Sequence, residues 1–283
     1  MCKQKSDWFI AAQTGNLEYM KKNIQKNIQT YDRRESDFEA EIFNGFSALH
    51  YACFNRYIDL VKLLLPFEST LETKQQVGID APGFCMSGKL RVPPGLNCLQ
   101  LSVLAGNVQI IELIMNYLKA EPDVYSVFVN SCTPYPQFSV FSICAMCGFD
   151  ACIDIMLNSQ FVQEVMIDYA DDCAPLFTAT AFGKLKSLQA LSQLQQNSLH
   201  TKYIDRMLLK RDSNNMTPID LAKEPKDPKR FKITDEEHNL IIETVIKMSK
   251  EAFERVKRSC DVNLKQIGIS YLQSQTEDEV FQE

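Results

Sequence analysis

One frame recurs along this chain and limits what it can fold into. An apolar anchor is followed by small residues three and four positions later, often by Gly at plus seven, by an aliphatic residue at plus twelve, and usually by apolar residues at plus fifteen and sixteen. Trp8 leads to Ala11-Ala12, Gly15, Met20 and Ile24; Leu49 leads to Ala52-Cys53, Val61 and Leu64-Leu65; Leu99 leads to Ser102-Val103, Gly106, Ile111 and Ile114-Met115. Phe141 leads to Cys144-Ala145, Gly148, Ile153 and Met156-Leu157, and Leu176 to Ala179-Thr180, Gly183, Leu188 and Leu191, with a truncated sixth copy starting at Ile219. Such spacing describes two short amphipathic helices per unit. The small residues let the first helix approach its neighbours, Gly permits the tight turn, and the later aliphatics form the buried face of the second helix. Neither helix can bury its apolar face alone, but stacked units can.

At 283 residues the chain is either two domains or one elongated array, and the frame selects the array. With 45% hydrophobic and 23% charged residues there is enough apolar material for a packed interior. Thirty basic against thirty-six acidic side chains, a net charge of −6, argue against non-specific attraction to nucleic acid or to an anionic membrane surface. The N-terminal residues Met1 to Trp8 turn polar too soon for a signal peptide, and no apolar run approaches the ~18 residues of a membrane span. A cytoplasmic location is therefore expected, with the nucleus also open to it. The ten cysteines read as reduced, buried thiols.

Two stretches carry a family resemblance. Ser47-Ala48-Leu49-His50-Tyr51-Ala52-Cys53 resembles the ankyrin signature Thr-Pro-Leu-His-x-Ala-Ala, and Thr217-Pro218-Ile219-Asp220-Leu221-Ala222 is similar to the Thr-Pro-Leu-Asp-Leu-Ala form of final repeats. The resemblance covers about residues 6 to 223 and implies an all-α, ankyrin-type helix-turn-helix solenoid of about six repeats with short hairpin-like loops. Residues 6–232 are read as the array. The capping box Thr234/Glu237 opens a helix over 233–258, either a cap on the last repeat or a docking helix for a partner, and the polar acidic tail 259–283 is expected to be mobile. The resemblance also implies that His50 bonds the residue three positions earlier, here Ser47, and a neighbouring backbone carbonyl. The other units place Phe9, Gln100, Ser142, Phe177 and Asp220 at the His position, so that network is not expected to be general.

The anchors are 41, 50, 42, 35 and 43 residues apart, against an ankyrin period of 33. The extra residues are expected between one outer helix and the next hairpin. The largest insertion, residues 68–95, should form an extended loop without a helix, since it holds Pro82-Gly83, Ser87-Gly88 and Pro93-Pro94-Gly95. Loops of this kind are either functional or tolerated drift.

Catalytic chemistry finds no support. His50, His200 and His238 sit in unrelated settings, and no phosphate loop, nucleophile elbow or metalloprotease motif appears. The chain is not expected to be an enzyme, and neither a cofactor nor a metal is expected. Cys144-x-x-Cys147, with Cys132, Cys152 and Cys173 nearby, supplies the alternative function: a thiol-based redox or metal-binding protein, or a non-catalytic subunit of an enzyme complex, using the fourth unit. Basic residues between Lys202 and Lys232 are diluted by acidic ones and read as a solvated surface.

The resemblance implies a protein partner, held by an adaptor, scaffold or stoichiometric inhibitor on the concave, hairpin-bearing face; a monomer is the expected state. On this frame that face carries Phe43, Asn44, Phe46, Phe54 and Asn55 in the second unit, and Leu96 and Leu104 in the third. Tyr135, Phe138 and Met146 continue it in the fourth, and Phe182 in the fifth. Either these side chains form a contiguous apolar stripe that anchors a partner, or the next unit and the long loops cover them.

Overall fold

The computed structural model describes residues 3–32, 45–74, 77–79, 90–92, 94–120, 128, 139–148, 151–152, 155, 174–196, 201–226 and 233–267. Within them the frame becomes an array of helical hairpins. First helices are α1 (Lys3–Thr14), α3 (Ala48–Phe54), α5 (Cys98–Leu104), α7 (Val140–Cys147), α8 (Pro175–Ala181) and α11 (Pro218–Lys223). Second helices are α2 (Leu17–Asn27), α4 (Ile58–Glu68), α6 (Val108–Leu118) and α9 (Leu185–Gln195). The first helices pack in one continuous row, α1–α3–α5–α7–α8–α11, and α2, α4 and α6 form a parallel row behind it. Ile153, Met156 and Leu157 of the fourth unit lie outside the described residues.

Each second helix is 11 residues long, and most first helices are 7 or 8. Helices that short are marginal in water and depend on packing. The packing is supplied by the frame. Anchors Trp8, Leu49, Leu99, Phe141 and Leu176 are fully buried, together with Ala12, Ala52, Cys53, Ser102, Cys144 and Ala179 on the same helices. Burial of one such aliphatic or aromatic anchor contributes about 1.5–3 kcal/mol.

Two local devices fix the ends of the first helices. At the start, a cap two residues before the anchor accepts the amide one residue after it: His50 N–H to Ser47 Oγ (3.4 Å), Gln100 N–H to Asn97 Oδ1 (2.9 Å), Ser142 N–H to Ser139 Oγ (3.0 Å) and Asp220 N–H to Thr217 Oγ1 (3.2 Å). In three of these the side chain at the His position returns the bond. The Ser47, Asn97 and Thr217 amides donate to His50 Nδ1, Gln100 Oε1 and Asp220 Oδ2 at 3.0, 2.9 and 2.8 Å. The reciprocal cap is thus more general than the loss of His suggests, because Gln and Asp also present an acceptor at that reach.

At the other end, the residue at plus seven takes a left-handed conformation: Gly15, Arg56, Gly106, Gly148 and Gly183 have φ of 77°, 67°, 66°, 80° and 63°. The next amide then bonds the carbonyl at plus three, Asn16 to Ala11 (2.8 Å), Tyr57 to Ala52 (2.9 Å), Asn107 to Ser102 (3.2 Å) and Lys184 to Ala179 (2.8 Å). This bond turns the chain into the second helix.

The insertions enter at the hairpins themselves. Asp32 N–H bonds Phe46 O and Gly45 N–H bonds Asp32 O, so the chain leaves and returns across a closed base around residues 33–44. Thr73 repeats the arrangement, donating to Leu96 O and accepting from Gly95 N–H, with the Leu96 amide held by Thr73 Oγ1. Four residues out on these arms, β1 (Val77–Ile79) and β2 (Leu90–Val92) pair antiparallel, Val77 with Val92 and Ile79 with Leu90. The stretch expected to be an extended loop between 68 and 95 therefore contains a paired stem, an exception to the all-α architecture among the described residues. Lys74 N–H donates to Gly45 O and joins the two bases.

Residues after α9 form a further helix, α10 (Thr201–Leu209), which buries Tyr203, Ile204, Met207 and Leu208. The C-terminal helix α12 (Asp235–Ile267) opens with the reciprocal cap of Thr234 and Glu237, at 2.9 and 3.1 Å. It is longer than the helix expected to end near Arg258, and it packs on α9, α10 and α11. Ile241, Val245, Met248 and Ala252 are buried there, and His238 Nε2 bonds Ala222 O at 2.9 Å. Residues 268–283 of the expected tail lie outside the described residues. Among the described residues no helix is long and apolar enough to cross a membrane.

Arg255 pins α12 to α10 by a two-pronged ion pair, Nε to Asp205 Oδ2 (2.7 Å) and Nη2 to Asp205 Oδ1 (2.8 Å), while Gln195 Nε2 donates to Asp205 Oδ1 (2.8 Å) and Met248 O (2.9 Å). Gln195 Oε1 and Ser249 Oγ are buried there without hydrogen-bond partners, so the seam is held by few polar contacts. Arg255→Ala is expected to leave the nearly buried Asp205 carboxylate without its cationic partner, with Gln195 Nε2 still donating to it. Urea unfolding should report a loss of about 2 kcal/mol, smaller than for a fully buried pair because Arg255 is partly exposed, and limited proteolysis should cut α12 before the repeats.

Candidate functional site

The sequence expects the partner face on the concave, hairpin-bearing side of the array. Its inner layer is a set of residues three before the anchors. Phe46 is fully buried with its ring edge-on to His50 (5.6 Å), Tyr51 (5.4 Å) and Phe54 (6.5 Å). Leu96 is also fully buried in the third unit. The arms of each hairpin close over this position, which makes it a plug beneath the base. Leu104 and Met146 join the same interior, because the first helices on either side of them stack closely. These four expected contact residues are therefore core.

Phe54, Asn55 and Phe182 are half-buried and remain at the surface. Phe43, Asn44, Tyr135 and Phe138 lie outside the described residues. Among the described residues the exposed part of the stripe is narrower than the sequence suggests and includes the turn after α3.

That turn is tied to both neighbours. Asn55 Nδ2 and Tyr57 Oη each donate to Gln13 O at 3.3 Å, and the Tyr57 ring fills the space where a side chain on Gly15 would project. On the other side Arg56 Nη2 donates to Ala105 O of the third unit. Arg56 is exposed and occupies the left-handed position that Gly holds in the first, third, fourth and fifth units. A non-glycine residue costs about 1–2 kcal/mol in such a conformation.

A buried polar layer gathers at the other end of α3, where α4 ends. Tyr51 Oη donates to Asp32 Oδ2 at 2.6 Å, and Asp32 is itself 2% exposed. Glu68, the last residue of α4, is fully buried and accepts the amides of Leu49 (2.9 Å) and Gln29 (3.1 Å), linking the second unit to the end of the first. Burial raises the Glu68 carboxyl above its usual range, and the bonds from Leu49, Ser47 and Gln29 oppose that rise. Burial lowers His50 to about 4, so its ring is neutral near pH 7. Its Nδ1 accepts the Ser47 amide, which leaves Nε2–H to donate to Leu71 O at 3.1 Å. The bond implied for His50 is present, and its role is to carry the second unit into the next hairpin.

The thiols are packing groups in this setting. Among the described residues, Cys53, Cys98, Cys144, Cys147 and Cys152 are buried and form no disulfide. Burial pushes Cys147 up to about 12 and raises Cys98 and Cys144 well above the usual thiol value, which suppresses the thiolate that metal binding or exchange requires. Cys132 and Cys173 lie outside the described residues. Among the described residues no group of three or more His, Cys, Asp or Glu side chains is placed to hold a metal ion.

The family model of ankyrin repeats matches residues 8–126 with three copies. Among solved structures, the chain is similar to the crystal structure of the human ASB11 ankyrin repeat domain at 14% identity and a TM-score of 0.41, over 85% of this chain and 96% of that one. No curated protein matches it.

Two outcomes follow from this layer. Arg56→Gly should unfold at higher urea than Arg56→Ala, by about 1 kcal/mol in stability, since both remove the bond to Ala105 O but only Gly relieves the left-handed backbone. For Glu68, a folded pKa above the unfolded value means that its contribution is fully present below about 4.5 and is lost as pH rises through the folded pKa. The stability difference between the native chain and Glu68→Gln, followed by chemical denaturation from pH 4 to pH 8, should shift against the native chain as pH rises; a flat difference contradicts the assignment.

Proposed function

The chain is an ankyrin-repeat protein, its repeats matched over residues 8–126, and on that premise we propose that it is a non-catalytic module holding a protein partner on the hairpin side of the array, as an adaptor, scaffold or stoichiometric inhibitor. Ankyrin repeats are protein–protein interaction modules, and stacked units of this kind present a long surface and no reaction chemistry.

The observation that carries the reading is Arg56. Glycine would make the same turn without strain, as it does in four other units, yet an exposed guanidinium is kept there between half-buried Phe54 and Asn55 and the third unit. Backbone strain of this sort concentrates where a surface is used, and Arg and aromatic side chains dominate the energy of protein interfaces. The proposed contact set is Phe54, Asn55, Arg56 and Phe182, with Phe43, Asn44, Tyr135 and Phe138 placed beside them by frame position. Buried Phe46, Leu96, Leu104 and Met146 support that surface from below and do not belong to it. The thiol reading gains no observation among the described residues, where the cysteines are buried and Cys98, Cys144 and Cys147 are pushed away from the reactive form.

The test is comparative capture. Full-length chain and a Phe54→Ser, Asn55→Ala, Arg56→Ala variant would be immobilised and exposed to a native cell extract, with bound proteins quantified by mass spectrometry and both proteins melted in parallel. At least one protein should be lost from the variant by about tenfold or more while its melting temperature changes by a few degrees. Identical captured sets would overturn the assignment.

A further inference from the structure

Of the serines whose side chains are described, Ser213 and Ser259 are exposed, and both follow two basic residues, Lys210-Arg211 and Lys257-Arg258. Their settings differ. Ser259 lies inside α12, where an enzyme that reads an extended substrate must first unwind a helix. Ser213 lies outside any helix, at the tip of the hairpin that leads from α10 into α11.

That tip is a tight turn held by a few short-range bonds. Asn215 N–H donates to Asp212 O at 2.9 Å, and the Asp212 carboxylate Oδ1 accepts the amides of Asn214 (2.9 Å) and Met216 (2.7 Å). Asp212 N–H closes the base on Met216 O at 2.9 Å, and Asn215 takes a left-handed conformation at φ 63°. Residues 213–215 are all exposed, so opening the turn costs no core packing. Arg211 is exposed two residues before the serine and clasps the turn through Nη1 to Asn215 O at 2.8 Å; Lys210 stands three before it.

We propose that Ser213 is a phosphoryl-acceptor site for an arginine-directed serine/threonine kinase, with Lys210 and Arg211 as the residues that such an enzyme reads through its acidic subsites. In the transfer, Ser213 Oγ forms a bond to the γ-phosphorus of MgATP, the bond from that phosphorus to the ADP oxygen breaks, ADP leaves, and the hydroxyl proton passes to the kinase's carboxylate base. The product places roughly −1.5 to −2 of charge on the hairpin tip at neutral pH. There it competes with Asn215 O for Arg211. A hairpin tip that was basic becomes acidic just ahead of α11. The site is independent of which partner the second unit holds.

The experiment uses the folded full-length chain with the catalytic subunit of cyclic-AMP-dependent protein kinase and MgATP, followed by phosphopeptide mapping. Arg33-Arg34-Glu35-Ser36 carries a similar charge pattern outside the described residues, so the reaction is run in a Ser36→Ala background. Phosphate is expected at Ser213, to be absent in Ser213→Ala, and to be incorporated about tenfold more slowly in Arg211→Ala, the size of one charge-assisted contact. Unchanged circular-dichroism melting of Arg211→Ala assigns the slower rate to recognition. Absence of phosphate at Ser213 in the native chain, its appearance at Ser213 after heat denaturation alone, or incorporation confined to Ser259 or Thr234 overturns the proposal.

Discussion

Everything in the array depends on how closely one first helix can approach the next, and that distance is set by small residues whose carbonyls also close the turns. The amide eight residues past an anchor donates to the carbonyl three past it, so the residue that must be small for packing is the one that anchors the change of direction. A larger side chain there would push the neighbouring unit away at the point where the backbone is pinned. Stacking and turning are thus coupled, which explains why the frame persists while the rest of each unit drifts.

Drift is absorbed at the hairpins. Two backbone bonds close each base at Asp32 and at Thr73, and the bond between Lys74 and Gly45 joins one base to the other. What lies beyond a closed base does not alter the spacing of the helices behind it. The long and unequal anchor separations therefore coexist with second helices of constant length, and lengthened loops are tolerated because closing a larger loop adds little entropy cost.

The legible parts of this fold were those written in periodicity. Helix pairs, small-residue contacts and the cap of α12 follow from spacing and side-chain type, while the His50 bond follows from the family resemblance. The hairpin stem at Val77–Ile79 and Leu90–Val92 was hidden by its turn-forming residues, and α10 by the charged residues on its outer side. Buried Phe46, Leu96, Leu104 and Met146 show the deeper difficulty: position in the frame says which way a side chain points, while its exposure depends on how tightly neighbouring units close, and that is a property of the assembled row. Arg56 had a visible signal, since it stands at plus seven where the first, third, fourth and fifth units carry glycine. Its meaning needed the measured φ.

The C-terminal helix has a consequence for how such a chain ends. A solenoid offers the same apolar face at its last unit as at every interior one, and that face invites another copy of the molecule to continue the stack. Here α12 occupies it with Ile241, Val245, Met248 and Ala252 and locks in place through Arg255 and Asp205. Over the described residues the helix takes the place that a further unit of the row would otherwise fill.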